Sequence, residues 1–147
     1  MKWYKSVLTI STHGKGFYVL TDQVNAQLRL WKAQEGMCFL YCPHTSASLT
    51  INESYDPTAQ ADLETALEKM VPDTARWYSH DLEGPDDATS HIRTMLTGSS
   101  LMIPVDDGRL TLGTWQGVYL CEHRSYAHRR EVWMRVMDVF DESKIRA

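Results

Sequence analysis

Residues Leu110–Arg124, LTLGTWQGVYLCEHR, carry the reading of the whole chain. The segment opens apolar, turns through Gly113-Thr114, and continues as a strand from Trp115 to Glu122. It closes on three functional side chains in a row, Glu122, His123 and Arg124. Side chains alternate across a strand, so Glu122 and Arg124 fall on one face and His123 on the other. Burying an acid, an imidazole and a guanidinium without partners is costly. A strand mouth that opens on a polar cleft accounts for them. A strand that simply reaches solvent with a charged rim accounts for the charge pattern equally well.

Beyond this stretch, Ser125–His128 reads as a turn and Arg129–Phe140 as a long final strand. Val132, Met134 and Val136 share one of its faces. The other mixes Glu131, Trp133 and Arg135 with Met137 and Val139. Apolar groups on both faces suit a strand packed on one side and covered on the other by another subunit. The tail Asp141–Ala147 is polar and reads as frayed. Before the stretch, Ser100–Val105 is a strand, Asp106-Asp107-Gly108 a hairpin turn and Arg109–Leu112 the return. The late chain therefore reads as an antiparallel meander that Trp115–Glu122 continues.

Further upstream, Trp3–Thr12 alternates as a strand and comes back after the turn His13–Gly16 as Phe17–Leu20. Thr21 or Asp22 caps a helix to about Gln34, with Val24, Leu28 and Trp31 on one stripe and Gly36 to stop it. Met37–Cys42 and Leu49–Asn52 are strands around the hydroxyl-rich loop Pro43–Ser48. Asp56-Pro57 starts a second helix, whose stripe is Leu63, Ala66, Leu67 and Met70 and which Val71-Pro72-Asp73 breaks. Trp77–Asp87, WYSHDLEGPDD, has no periodicity and carries His80, Asp81, Glu83, Asp86 and Asp87. Solvated loops and functional loops share that composition. Asp87 caps a third helix, Ala88–Thr97, whose apolar stripe is Ala88, Ile92, Met95 and Leu96. His91 borders the stripe and points towards the core, where it needs a partner. The tally is about eight strands and three helices, which is an α+β fold.

At 147 residues the chain reads as one domain, 1–147, with room for a real core. Its net charge is 15 − 19 = −4. No basic run or recognition motif points to nucleic acid. No apolar stretch reaches membrane-spanning length. The start MKWYKSVLTIST is too polar and alternating for a signal peptide, so a cytoplasmic location is expected. Cys38, Cys42 and Cys121 lie in apolar runs and read as buried thiols, since an odd count argues against a disulfide framework. No phosphate loop and no GxSxG elbow is present, which counts against nucleotide binding and against Ser46 or Ser48 as a hydrolase nucleophile.

Three motifs, HTSASLTINE (His44–Glu53), EGPDDATSHI (Glu83–Ile92) and LGTWQGVYLCEHR (Leu112–Arg124), resemble the YjbQ family, also known as secondary thiamine-phosphate synthase proteins. The likeness covers almost the whole chain, and three motifs in order make it specific. One departure is Ser54, where the family usually has Asn after Asn-Glu. The resemblance implies an α+β single-domain mixed or antiparallel β-sandwich, assembled as a homotrimer. It implies a transferase that joins hydroxymethylpyrimidine pyrophosphate to a thiazole phosphate, as a secondary activity on small phosphorylated substrates. A non-catalytic trimer holding a metal or anion is the alternative.

Carried over by residue, the resemblance implies a site of His44, Thr45, Ser46, Asn52 and Glu53, then Glu83, Asp86, Asp87 and His91, then Thr114, Gln116, Glu122, His123 and Arg124. His44, Glu53, Asp87, His91, Glu122, His123 and Arg124 would be catalytic. Thr45, Ser46, Asn52, Thr114, Gln116 and Arg124 would bind substrate. His44, His91 and His123 would hold a divalent metal, zinc or magnesium, with an open position for water or substrate. Carboxylates would fix their tautomers. Arg124, the metal and the hydroxyls of Thr45, Ser46 and Thr114 would meet the charge of a leaving pyrophosphate.

Overall fold

The computed structural model describes residues 1–143. The expected frayed end beyond Ser143 lies outside them. The elements run β1 (Lys2–His13), β2 (Gly16–Val19), α1 (Thr21–Trp31), β3 (Gly36–Tyr41), β4 (Ala47–Glu53), α2 (Pro57–Met70), α3 (Asp87–Thr97), β5 (Ser100–Asp106), β6 (Arg109–Leu110), β7 (Gln116–Glu122) and β8 (Ala127–Asp138). Five strands form one sheet in the order β1-β8-β3-β5-β6, and three form another in the order β2-β7-β4. Every pairing is antiparallel. One core joins the sheets, with Leu8, Leu40 and Met134 from the first, Leu49, Val118 and Leu120 from the second, and Leu28 from α1. The chain is thus an α+β fold, as its patterning predicts.

β7 departs from the expected meander. It crosses into the smaller sheet and becomes its middle strand. The reason lies in its own sequence. Val118 and Leu120 line one face, Tyr119 and Cys121 the other, and all are buried. A strand apolar on both faces needs cover on both and two paired neighbours. Its neighbours are β2 and β4, and the start of α1 is tied to it by the Val118 N–H donating to Thr21 Oγ1 at 2.9 Å. Thr21 therefore does not cap α1, which has no side-chain cap.

α1 also ends earlier than expected, at Trp31. Lys32 takes the left-handed position at φ 55°, and its N–H bonds back to Leu28 and Arg29. Gly36 serves instead as the first residue of β3. A Cβ there would lie 1.9 Å from the Met137 carbonyl oxygen, so only glycine lets β3 approach β8. Asp56 caps α2 as expected, accepting from the Thr58 N–H at 2.9 Å, with Pro57 in the first turn.

The helix faces are where the expectation fails most. No residue of α2 is buried, and Met70 at the end of its stripe is 65% exposed. α3 is turned relative to its apolar stripe: Met95 is 78% exposed, and the buried positions are Asp87, Thr89, Ser90 and Arg93. Each buried polar side chain has a partner among the described residues, although Arg93 Nε itself is left without one. Arg93 donates to the Val71 carbonyl at 2.8 Å and to Glu68 at 3.1 Å. Thr89 donates to Asp73, and Thr97 to the Arg93 carbonyl at 2.8 Å. Satisfied polar groups can be buried at little net cost, so this network outweighs a stripe of four modest apolar residues. Among the described residues no helix is long and apolar enough to cross a membrane.

Candidate functional site

The β4–β7 register separates residues expected to converge. Ala47 pairs with Glu122 at one end and Glu53 with Gln116 at the other. Seven residues of strand span about 20 Å. Asn52, Glu53, Thr114 and Gln116 therefore sit at the far end, away from Glu122, His123 and Arg124. There they shape turns. Glu53 accepts from the Tyr55 and Asp56 N–H groups at 3.1 and 3.0 Å. Asn52 accepts from the Glu53 N–H at 2.8 Å, and Gln116 from the Gly113 N–H at 2.8 Å. Thr114 is exposed in the same turn as Gly113.

At the near end the strand mouth opens only on a small cavity of about 120 Å³, lined by Lys15, Glu68 and Arg93 beside Glu122 and His123. Glu122, His123 and Arg124 are all buried. Glu122 accepts from Arg130 at 2.6 and 2.7 Å, from Thr12 at 2.7 Å and from the Arg124 N–H at 3.1 Å. Burial works against its charge, but these donors hold its carboxyl below the usual range. With its lone pairs so occupied, Glu122 anchors the interior rather than a substrate. Arg130 also donates to Ser46 Oγ at 2.9 Å, so that hydroxyl too is part of the frame.

His123 heads a one-way chain of hydrogen bonds. Thr97 gives its only proton to the Arg93 carbonyl, so it accepts from Ser48 at 2.5 Å, and Ser48 in turn accepts from His123 Nε2 at 2.8 Å. Burial, aided by the nearby Arg93, pushes the His123 pKa down to about 3. Its imidazole is neutral and enclosed, with Nε2 taken by Ser48.

Arg124 was expected to grip a substrate anion. Its guanidinium is committed instead to the loop before α3. It donates to the Glu83 carbonyl at 2.7 Å and the Tyr126 hydroxyl at 2.9 Å, and lies 3.3 Å from Asp86 and 3.6 Å from Asp87. Asp86 accepts the Ser125 N–H at 2.8 Å. Arg124 thus holds the Glu83–Asp87 loop in place.

A larger cleft of about 540 Å³ lies between the Pro43–Thr45 turn and α3, with His44 and His91 on its walls and Tyr41 at its edge. His44 Nε2 accepts from the Glu131 N–H at 2.9 Å, so its proton sits on Nδ1. Burial, with the Arg130 charge adding to it, holds the His44 imidazole below its usual range, and it is neutral at pH 7. His91, expected to point inwards, is 37% exposed, and its Nδ1 bonds the Thr45 carbonyl at 2.7 Å. Thr94 donates to the same carbonyl at 3.1 Å. Thr45 therefore contributes its backbone.

Among the described residues, the ligand-type side chains that gather are His80, Asp87 and His91, with their donor atoms within 4.8 Å of one another. Of the expected set His44, His91 and His123, only His91 belongs to that group. His80 carries no signal in the sequence, because it sits in the irregular Trp77–Asp87 segment. One signal was legible: Asp87 and His91 stand at i, i+4, on one helix face.

The chain has clear relatives. The family model described as UPF0047 protein YjbQ-like matches residues 6–139. The UPF0047 protein YjbQ of Salmonella typhimurium is 47% identical over 131 residues, covering 88% of this chain and 94% of that one. A UPF0047 protein of Synechocystis is 42% identical over 133 residues, covering 90% of each. Among solved structures, a conserved hypothetical protein of Thermus thermophilus superposes with a TM-score of 0.82 at 36% identity, over 90% of this chain and 99% of that one. A YjbQ/UPF0047 protein of Clostridium acetobutylicum gives 0.78 at 33% identity, over 88% and 99%.

Proposed function

The chain belongs to the UPF0047 YjbQ-like family, and on that premise we propose that it is a small-molecule enzyme working in the cleft between the Pro43–Thr45 turn and α3. The reaction assigned to it is the thiamine-phosphate synthase type. The carbon–oxygen bond of hydroxymethylpyrimidine pyrophosphate breaks, pyrophosphate leaves with the electron pair, and the ring nitrogen of thiazole phosphate forms the new bond to carbon. The single observation that carries the reading is the cleft itself. Its volume of about 540 Å³ falls in the range of small-molecule sites, and two imidazoles face into it.

His44 is the residue with the clearest role. A neutral imidazole with its proton fixed on Nδ1 donates a hydrogen bond to a developing negative charge without giving up that proton at rest. His91 stands across the cleft with Nδ1 held by Thr45 and Nε2 free of that bond. A second reading, retention of a metal or small anion without turnover, is favoured by one feature. Among the described residues no Lys or Arg lines the cleft to receive the charge of pyrophosphate.

The same proposal includes a homotrimer. The outer face of the larger sheet exposes Trp3, Val7, Tyr41, Met102 and Trp133, and monomers rarely leave such a patch bare. Tyr41 belongs both to that face, its ring tilted against Trp133 at 5.7 Å, and to the cleft lining. A neighbouring subunit there would border the substrate.

The test is release of pyrophosphate by the purified protein from the two substrates. Turnover is expected, and His44→Ala should lower it by about 10²-fold or more while the thermal midpoint stays close to that of wild type. Absence of turnover by wild type on this pair and on related pyrophosphate esters would overturn the enzymatic reading and leave the second.

A further inference from the structure

We infer that His80, Asp87 and His91 form a binding site for one transition-metal ion of the zinc, cobalt or manganese class. The inference names a cofactor for the cleft just described but stands on its own geometry.

A carbonyl oxygen only accepts, so the 2.7 Å contact with Thr45 places the His91 proton on Nδ1. In the neutral imidazole Nε2 then presents a bare lone pair. It faces Asp87 Oδ1 at 3.3 Å, and an ionised carboxylate is also only an acceptor. His80 Nε2 lies 3.3 Å from the same oxygen. A bare Nε2 and a carboxylate oxygen at this distance repel unless a cation, a proton or a metal ion, lies between them.

The spacing suits such a cation. Ligands at about 2.0–2.1 Å from a tetrahedral ion stand about 3.3–3.4 Å apart, and both contacts to Asp87 have that length. The side chains are also held ready. Metal-bound histidines usually donate their other N–H to a carbonyl or carboxylate, as His91 does. Asp87 is 2% exposed and fixed from behind, with Oδ2 accepting the Glu83 N–H at 3.2 Å and the Arg124 guanidinium 3.6 Å from Oδ1. The two imidazoles are open, at 59% and 37% exposure, which leaves room for a further ligand.

Two nitrogens and one carboxylate oxygen favour zinc, cobalt or manganese over magnesium, which prefers oxygen donors. Because His91 also lines the cleft, an ion held here supplies the positive charge that the lining side chains lack. Arg124 acts through Asp87 as a positioning residue.

The test is metal uptake by the full chain after chelator treatment, titrated with Co(II) and Zn(II) and followed by calorimetry and by cobalt absorption. One equivalent per chain is expected, with a rise in thermal midpoint. His80→Ala changes an exposed side chain and leaves the interior intact. It should weaken binding about tenfold or more, as should His91→Ala, whereas His44→Ala should bind as wild type does. Three outcomes overturn the inference. They are no uptake up to about 1 mM metal, the weak limit of specific binding; equal affinity in His80→Ala; and nitrogen NMR showing His91 as an imidazolium paired with Asp87 in metal-treated protein. Uptake without turnover would keep the metal site and remove the catalytic reading. Turnover without uptake would do the reverse.

Discussion

Acid should destabilise this protein through His123 well before its carboxylates titrate. The imidazole is buried and donates to Ser48 at 2.8 Å, and its pKa falls from an ordinary 6.5 to about 3. Between those values the unfolded chain binds a proton that the native chain refuses. Stability therefore rises with pH across the window and is lost as pH falls through it. From 6.5 down to about pH 5 the difference is about 1.5 units, and at 1.36 kcal/mol per unit the loss is about 2 kcal/mol. Unfolded carboxylates titrate lower, near 4, so they add little in this range. His123→Gln keeps an amide N–H within reach of Ser48 but has no group to protonate. The assay is urea unfolding of both proteins at about pH 7 and about pH 5. Wild type should lose about 2 kcal/mol more than the variant. His44 is also held below its usual range, but it is present in both proteins and cancels. Equal losses would show that His123 does not stay neutral inside the fold, and the hydrogen-bond chain through Ser48 and Thr97 would have to be redrawn.

Two further outcomes follow from the same contacts. Glu122→Gln keeps the shape but leaves Arg130 buried beside a neutral amide, and should cost about 3 kcal/mol in urea unfolding at neutral pH; a loss under about 1 kcal/mol would mean that the pair is solvated. Wild type should sediment as a trimer at micromolar concentration, and Trp133→Glu, which places a charge on the exposed sheet face, should sediment as a folded monomer; a monomeric wild type would end the trimer proposal.

The elements themselves were largely legible in the residues. Alternation marks β1 and β8, the Asp56-Pro57 pair marks the start of α2, and Asp107-Gly108 marks the hairpin between β5 and β6. Such signals are local. They depend on the conformation a few neighbouring residues prefer, and the α+β class follows from counting them. The density of functional groups at Glu122-His123-Arg124 was equally visible, as was the need for each to find a partner.

Which partner each one finds is a property of the tertiary structure. Arg130 reaches Glu122 because β8 passes beneath the end of β7, and Asp86 meets Arg124 because the loop before α3 folds over the turn after β7. Periodicity misplaces the inward face of α3 because it counts apolar residues. It cannot see that Arg93 will meet Glu68 or that Thr89 will meet Asp73. The metal set follows the same rule. Asp87 and His91 share a helix face by spacing alone, but only the path of the Trp77–Asp87 segment brings His80 to them. Only the packing at the end of β7 buries His123 and keeps it apart from them. Sequence by itself determined the strands, the helices and the class of fold, because those follow from short-range backbone preferences and side-chain alternation. Tertiary structure alone decided which polar groups are buried in pairs and which remain open to a ligand, because a charge is stabilised by whatever lies within a few ångströms in space, however far apart along the chain.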